Sequence, residues 1–289
     1  MKDIIDIGFA EECEPWRLES RFFPSKIGGK PAWLDLQNIP NTEQLQCNYC
    51  KNPCIFLCQI YAPYEEDPKA FHRTIYVFIC KNPDCCKENS NGNIKVLRSQ
   101  LQRSNKFYPP DPPIEEKNWR TDIKYELVIE RERYEPENKT DTSEQEMKTF
   151  QNLIESGQAG SLQTEKNVDS DLLQMASEIE DKTFLKFQKR VKSEPDQVIR
   201  YNRGGSPLYI SSSHQPAEIP NCEICGEIRQ FEFQVMPQLI NYLKLEDVLN
   251  SIDWGILAIY TCKNSCIPQS KYVKEFAWKQ DITKEIITQ

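Results

Sequence analysis

Of twelve cysteines in a chain of 289 residues, eight fall into two ordered quartets: Cys47, Cys50, Cys80, Cys85 and Cys222, Cys225, Cys262, Cys266. Each quartet opens with a two-residue spacer, which lets both thiolates of one turn converge on a tetrahedral ion about 2.3 Å from each sulfur. The closing pairs are looser, with four residues between Cys80 and Cys85 and three between Cys262 and Cys266. Four thiolates leave no coordination position for water, so the chemistry to expect is structural. The reading is two structural Zn2+ ions, each stapling the start of one strand to the end of another and supplying on the order of 10 kcal/mol to folding. Cys86 lies beside Cys85 and leaves open which of the two completes the first quartet.

The quartets sit inside an internal repeat. Cys47, Cys50, Phe56, Gln59 and Ile60 recur as Cys222, Cys225, Phe231, Gln234 and Val235, each displaced by 175 positions. The apolar run Ile75–Ile79 with Cys80, Lys81 and Asn82 recurs as Leu257–Thr261 with Cys262, Lys263 and Asn264, displaced by 182. Alternation predicts a strand with Phe56, Cys58 and Ile60 on one face, and a second with Phe231, Phe233 and Val235 on one face. Cys58 stands where the other copy has Phe233, so it reads as a core thiol. Cys54 aligns with Arg229 and reads as exposed and non-coordinating. The loops around Gly28-Gly29 and Arg200–Pro207 suggest that even the lead-in is repeated; Pro31 and the close glycine spacing exclude a phosphate-binding P-loop.

Between the copies, residues 135–182 hold twelve acidic residues against four lysines, which accounts for the whole net charge of −8. This stretch reads as a disordered acidic linker that attracts a basic protein partner. The rest is neutral, without the basic footprint of a nucleic-acid binder, so no direct nucleic-acid contact is expected. No apolar run reaches membrane-spanning length and the N-terminus is not a secretory signal, so a soluble cytoplasmic and nuclear protein without a membrane partner is expected; a monomer is expected as well. There the cysteines are metal ligands and buried thiols rather than disulfides. The domain organisation expected is an N-terminal copy at 1–117, a connecting strand at 118–134 containing Tyr125–Glu130, the linker at 135–182 and a C-terminal copy at 183–289. A short helix carries Phe184, Phe187 and Val191 on one face and stops before Pro195. The fold class is α+β, mainly antiparallel β, with the zinc-binding units in pseudo-twofold arrangement. No catalytic constellation is found: His72 reads as structural, His214 as solvent-facing, and the chain as no enzyme.

These residues, with GFAEE near residue 8, Trp16–Leu34, QIYAP, FHR, FEFQVMPQLINYL, SIDWGILAIYTC and EFAWKQD, resemble the programmed cell death protein 2 family. The resemblance implies a TYPP domain, an internally duplicated unit with metal-binding cysteine clusters. It also implies a role in small-subunit ribosome biogenesis as a dedicated escort of the basic S-five ribosomal protein. Longer animal members carry a MYND zinc finger near Pro113–Trp119; here it is absent, naturally or by deletion. The expected activity is that of a nucleotide-independent chaperone, with Trp33, Phe71 and Trp254 lining a client groove between the copies. The rival reading is a nuclear zinc-binding adaptor contacting chromatin or RNA.

Overall fold

The computed structural model describes residues 5–111, 124–132, 182–243, 252–266 and 272–282. Ten strands carry the fold: β1 (Asp6–Cys13), β2 (Lys26–Ile27), β3 (Ile55–Tyr61), β4 (His72–Ile79), β5 (Ile94–Leu101), β6 (Lys124–Arg131), β7 (Ile199–Tyr201), β8 (Arg229–Val235), β9 (Ile256–Cys262) and β10 (Tyr272–Gln280). All pair antiparallel and close into a barrel in the order β1-β6-β2-β3-β4-β5-β10-β9-β8-β7. Exchanging β1–β5 with β6–β10 maps this ring onto itself. The exchange places β1 against β7 and β6 against β2, so each half lends its first strand to the other, while β5 and β10 close the opposite seam. The strand expected at Tyr125–Glu130 is β6, standing in the first seam. Most of the acidic stretch expected as a linker lies outside the described residues.

One buried cluster draws on both halves, including Ile27, Leu57, Ile75 and Val77 from the first and Phe233, Val235, Leu257 and Ile259 from the second. The halves therefore share a single barrel core. The alternation expected in β3 is broken: register shifts between Phe56 and Cys58, so Leu57, Cys58 and Ile60 face that core while Phe56 turns toward the first cysteine quartet. A β-bulge inserts one extra residue and shifts the period-two pattern beyond it. The same irregularity occurs between Phe231 and Phe233, where Phe231 joins an outer cluster and Phe233 the core. Glu232 occupies the bulge position that Leu57 occupies in the first half.

The repeated glutamine explains the repeated glycine loop. Gln59 accepts from the Ala32 amide at 2.8 Å and donates to the Pro24 and Ala32 carbonyls. Gln234 accepts from the Leu208 amide at 2.6 Å and donates to the Leu208 carbonyl. Each buried amide thus satisfies loop backbone that would otherwise lose its water. Gly28 and Gly204 hold positive φ of 60° and 79°, and their amides donate to the Leu57 and Phe231 carbonyls of the neighbouring strands β3 and β8. The helix α1 (Lys182–Lys192) packs Phe184, Phe187 and Val191 onto Ile210, Met236 and Ile256, on the face its spacing predicts.

Candidate metal centres

Each quartet is assembled from a tight turn at the start of one hairpin strand and the end of the next. In the first, the Cys47 amide donates to the Asn52 carbonyl at 2.9 Å and the Lys51 amide to the Cys47 carbonyl at 3.1 Å. In the second, the Cys222 amide donates to Glu227 at 2.8 Å and the Gly226 amide to Cys222 at 2.9 Å. Lys51 and Gly226, again 175 positions apart, both adopt positive φ, 61° and 73°. Gly226 takes this conformation without strain; Lys51 adopts it despite its Cβ. Strands β4 and β9 then deliver Cys80 and Cys262, and short turns return Cys85 and Cys266.

The result is two groups of four sulfurs, Cys47, Cys50, Cys80, Cys85 and Cys222, Cys225, Cys262, Cys266, with all donor atoms of each group within 4.8 Å of one another. Among the described residues no other histidine, cysteine or carboxylate cluster converges in this way. The Cys50–Cys80 sulfurs are 3.6 Å apart, and the Cys222–Cys266 and Cys225–Cys262 sulfurs 3.5 Å apart. These separations are far beyond a disulfide. They match the roughly 3.8 Å edge of a tetrahedron of sulfurs about 2.3 Å from a central ion. Both groups fit a tetrahedral metal ion.

Their protonation fits the same use. At Cys50 the backbone hydrogen bond at Asn52 stabilises the thiolate and brings the thiol down to about 7. Burial opposes ionisation of Cys222, but hydrogen bonds from the amides of Cys225 and Ile224, together with those of the Cys266 and Cys225 thiols, bring that thiol down to about 7 as well. Burial holds four other ligand thiols up, Cys85 to about 11 and Cys80, Cys262 and Cys266 also above the ordinary range. Cys50 and Cys222 thus offer a first ligand near neutral pH, and a dication bound there would favour deprotonation of the other ligands.

The cysteines outside the quartets are placed by different forces. Cys85 belongs to the first group, whereas the Cys86 sulfur lies 3.3 Å from the Asp253 carbonyl and 3.8 Å from Lys279 Nζ. Cys58 is fully buried in the barrel core, and burial pushes its thiol far up. Cys54, expected to be exposed, is buried, as is Arg229 at the aligned position. The alignment misled because Arg229 is an inward-facing, ion-paired arginine; Cys54 stays outside the quartet, with its thiol pushed up to about 12 by burial.

The aromatic residues expected to line a client groove do not meet. Trp254 is 2% exposed and belongs to the shared core. Trp33 packs against Tyr76, Phe78 and Tyr272 beside the first quartet. Phe71 lines a separate cavity of about 480 Å³ with Trp16, Phe22, Phe23 and Arg103. The three side chains belong to three separate groups, the barrel core, the aromatic bed of the first quartet and a surface cavity. His72 is buried, stacked on Phe23 at 4.2 Å and bonded to the Tyr61 hydroxyl at 2.9 Å, the structural role its setting suggested. His214 is exposed, and its carbonyl receives the Trp278 indole at 2.9 Å.

Sequence reasoning missed the buried charges. Arg73 of β4 reaches across the barrel to Glu232 of β8 through two hydrogen bonds of 2.7 and 2.9 Å, with both side chains fully buried. Tyr201 and Thr261 complete the acceptor shell of Glu232. A second group joins Arg98, Glu275 and Arg229 beside the second quartet. The available signal was a charge inside strands otherwise buried throughout, in FHRTIYVFI and RQFEFQV.

Residues 4–115 match the family model described as "Programmed cell death protein 2, N-terminal domain", and residues 181–281 match "Programmed cell death protein 2, C-terminal putative domain". The chain belongs to the programmed cell death protein 2 family. Each family domain contains one complete quartet. Similar relatives include "Programmed cell death protein 2" of Mus musculus, 35% identical over 343 residues, covering 96% of this chain and 97% of the relative. "Programmed cell death protein 2-like" of the same organism is 26% identical over 344 residues, covering 93% of each. The aligned span of 343 positions exceeds the 289 residues here, so that relative carries insertions that this family member lacks. A Schizosaccharomyces pombe protein named "Probable 20S rRNA accumulation protein 4" is 28% identical over 147 residues, 47% of this chain and 35% of the relative.

Proposed function

We propose that this family member is a non-enzymatic, zinc-stapled chaperone that escorts a basic small-subunit ribosomal protein, of the S-five type, during ribosome biogenesis in cytoplasm and nucleus. The observation that carries the ribosomal part is the relative named for 20S rRNA accumulation. The metal part is supported by two convergent four-sulfur groups, since zinc held by four thiolates has a filled coordination sphere and serves as a staple. The repeated glutamine clamps, bulges and cysteine turns support descent of the two halves from a duplicated zinc-binding unit. The charge distribution favours a cationic client: the −8 of residues 135–182 attracts basic segments over a distance, while the body of the chain stays neutral.

The test is capture of ribosomal proteins by the purified full chain from a small-subunit protein mixture at low salt. Retention of one basic ribosomal protein, weakened by salt and absent for an unrelated basic protein, is expected. No retention of any ribosomal protein overturns the escort reading, and retention of RNA without protein replaces it with the adaptor reading.

A further inference from the structure

We infer that Arg98 of β5 is a positioning residue for the second metal centre, supplied to it by the opposite half of the barrel; this rests on the metal-binding reading of that quartet. Arg98 is fully buried and spends its donors in three directions. Its Nε donates to Glu275 at 2.7 Å, its Nη1 donates to Gln100, and its Nη2 donates to the Cys266 carbonyl at 3.0 Å. The same Nη2 lies 3.9 Å from the Cys266 sulfur. Gln100, also on β5, donates to the Ser265 carbonyl at 2.9 Å, so β5 grips the Ser265-Cys266 turn at two successive carbonyls.

Glu275 extends the grip to the other ligand segments. Its second oxygen accepts the Cys262 amide at 3.1 Å and Arg229 Nε at 3.0 Å. Arg229 in turn donates to the Pro220 and Asn221 carbonyls, at 2.8 and 2.6 Å, immediately before Cys222. Three of the four ligand-bearing segments are therefore tied to one buried carboxylate and the two arginines that share it. Outer-shell hydrogen bonds of this kind fix ligand orientation, and their loss costs about 10- to 100-fold in metal affinity.

The charge count points the same way. Among the described residues the two arginines share the Glu275 carboxylate, which leaves one positive charge in excess in a buried site. A dication held by four thiolates carries a net charge of −2, and Arg98 faces it at the Cys266 sulfur. The excess cation and the anionic centre balance each other, which a neutral cluster of four thiols would not do. The first quartet packs against aromatic rings, those of Trp33, Phe56, Tyr76 and Phe78.

The experiment is a chelator challenge of the zinc-loaded full chain with iodoacetamide present, reading each cysteine by mass spectrometry. In Arg98→Met, where Glu275 keeps Arg229, the Cys222, Cys225, Cys262 and Cys266 group should become alkylated at about 10- to 100-fold lower chelator concentration, with the first quartet unchanged. Arg98→Lys keeps the charge and should fall between wild type and Arg98→Met. Wild-type protection of the second quartet in Arg98→Met overturns the inference, as does equal loss in both quartets, which marks a purely structural effect. A ranking of Met above Lys also overturns it, because that order belongs to a residue that only fills space. Wild-type thiols that alkylate fully without chelator overturn the metal reading itself, and this inference with it.

Discussion

The two cysteine quartets share one ligand geometry and two different supports. The first is bedded in rings: Trp33 against Tyr76, Phe78 and Tyr272, with Phe56 edge-on to Phe78 at 5.6 Å. The second is held by the buried charges Arg98, Glu275 and Arg229. Packing gives the first centre a support that is insensitive to direction, whereas the second depends on individual donors and acceptors and on a balanced charge. The cysteines therefore set the geometry offered to an ion, and the neighbouring strands decide how that geometry is kept. In each case a supporting group crosses the seam between β5 and β10: Tyr272 serves the first centre and Arg98 the second.

On the proposed zinc reading, the largest effect comes from metal removal. Structural zinc is worth on the order of 10 kcal/mol, so exhaustive chelation should abolish the cooperative thermal transition seen by circular dichroism. Next comes the charge pair that spans the barrel between the halves. Arg73→Met leaves buried Glu232 with Arg203, at 3.5 Å, as its remaining ion pair and should cost about 3 kcal/mol in urea unfolding, while the double variant Arg73→Met/Glu232→Met should recover part of that loss. Phe78→Ala removes the ring that touches both Trp33 and Phe56 and should cost about 3 kcal/mol. Its chelator sensitivity should rise at the first quartet and stay near wild type at the second.

A smaller effect is pH-dependent. Burial works against ionisation of Glu232, but the Arg73 ion pair and hydrogen bond, helped by Arg203 and Thr261, hold its carboxyl down to about 2. The folded value is below the unfolded one. The stabilisation is thus complete above the ordinary glutamate range, near 4.5, and is lost as pH falls through about 2. In urea titrations, the stability gap between wild type and Glu232→Gln should narrow over that window.

Much of this was legible in the sequence because the repeat supplied an internal control. Cys58 could be separated from the ligands by its Phe233 counterpart, and the quartets, the strand near Tyr125 and the helical face of Phe184 were readable from spacing. The bulges at Leu57 and Glu232 were not, since a one-residue insertion leaves the composition of a strand unchanged while turning its later side chains to the other face. The burial of Cys54 was misread for a related reason. Arg229 looked like a surface residue, yet its charge is satisfied inside by Glu275 and two carbonyls. Trp254 is an aromatic of the core, and no local pattern distinguishes such a ring from one that awaits a partner. Contacts across the barrel, such as Arg73 with Glu232 at a separation of 159 residues, have no local signature at all.

Closure of the two four-thiolate centres around zinc is tested most directly by native mass spectrometry of the purified full chain after extensive dialysis, with metal analysis of the same sample. Two zinc ions per folded chain, released together with exposure of the eight cysteines on acidification, are the result expected. A folded chain that carries fewer than one ion and unfolds with the same cooperativity contradicts it.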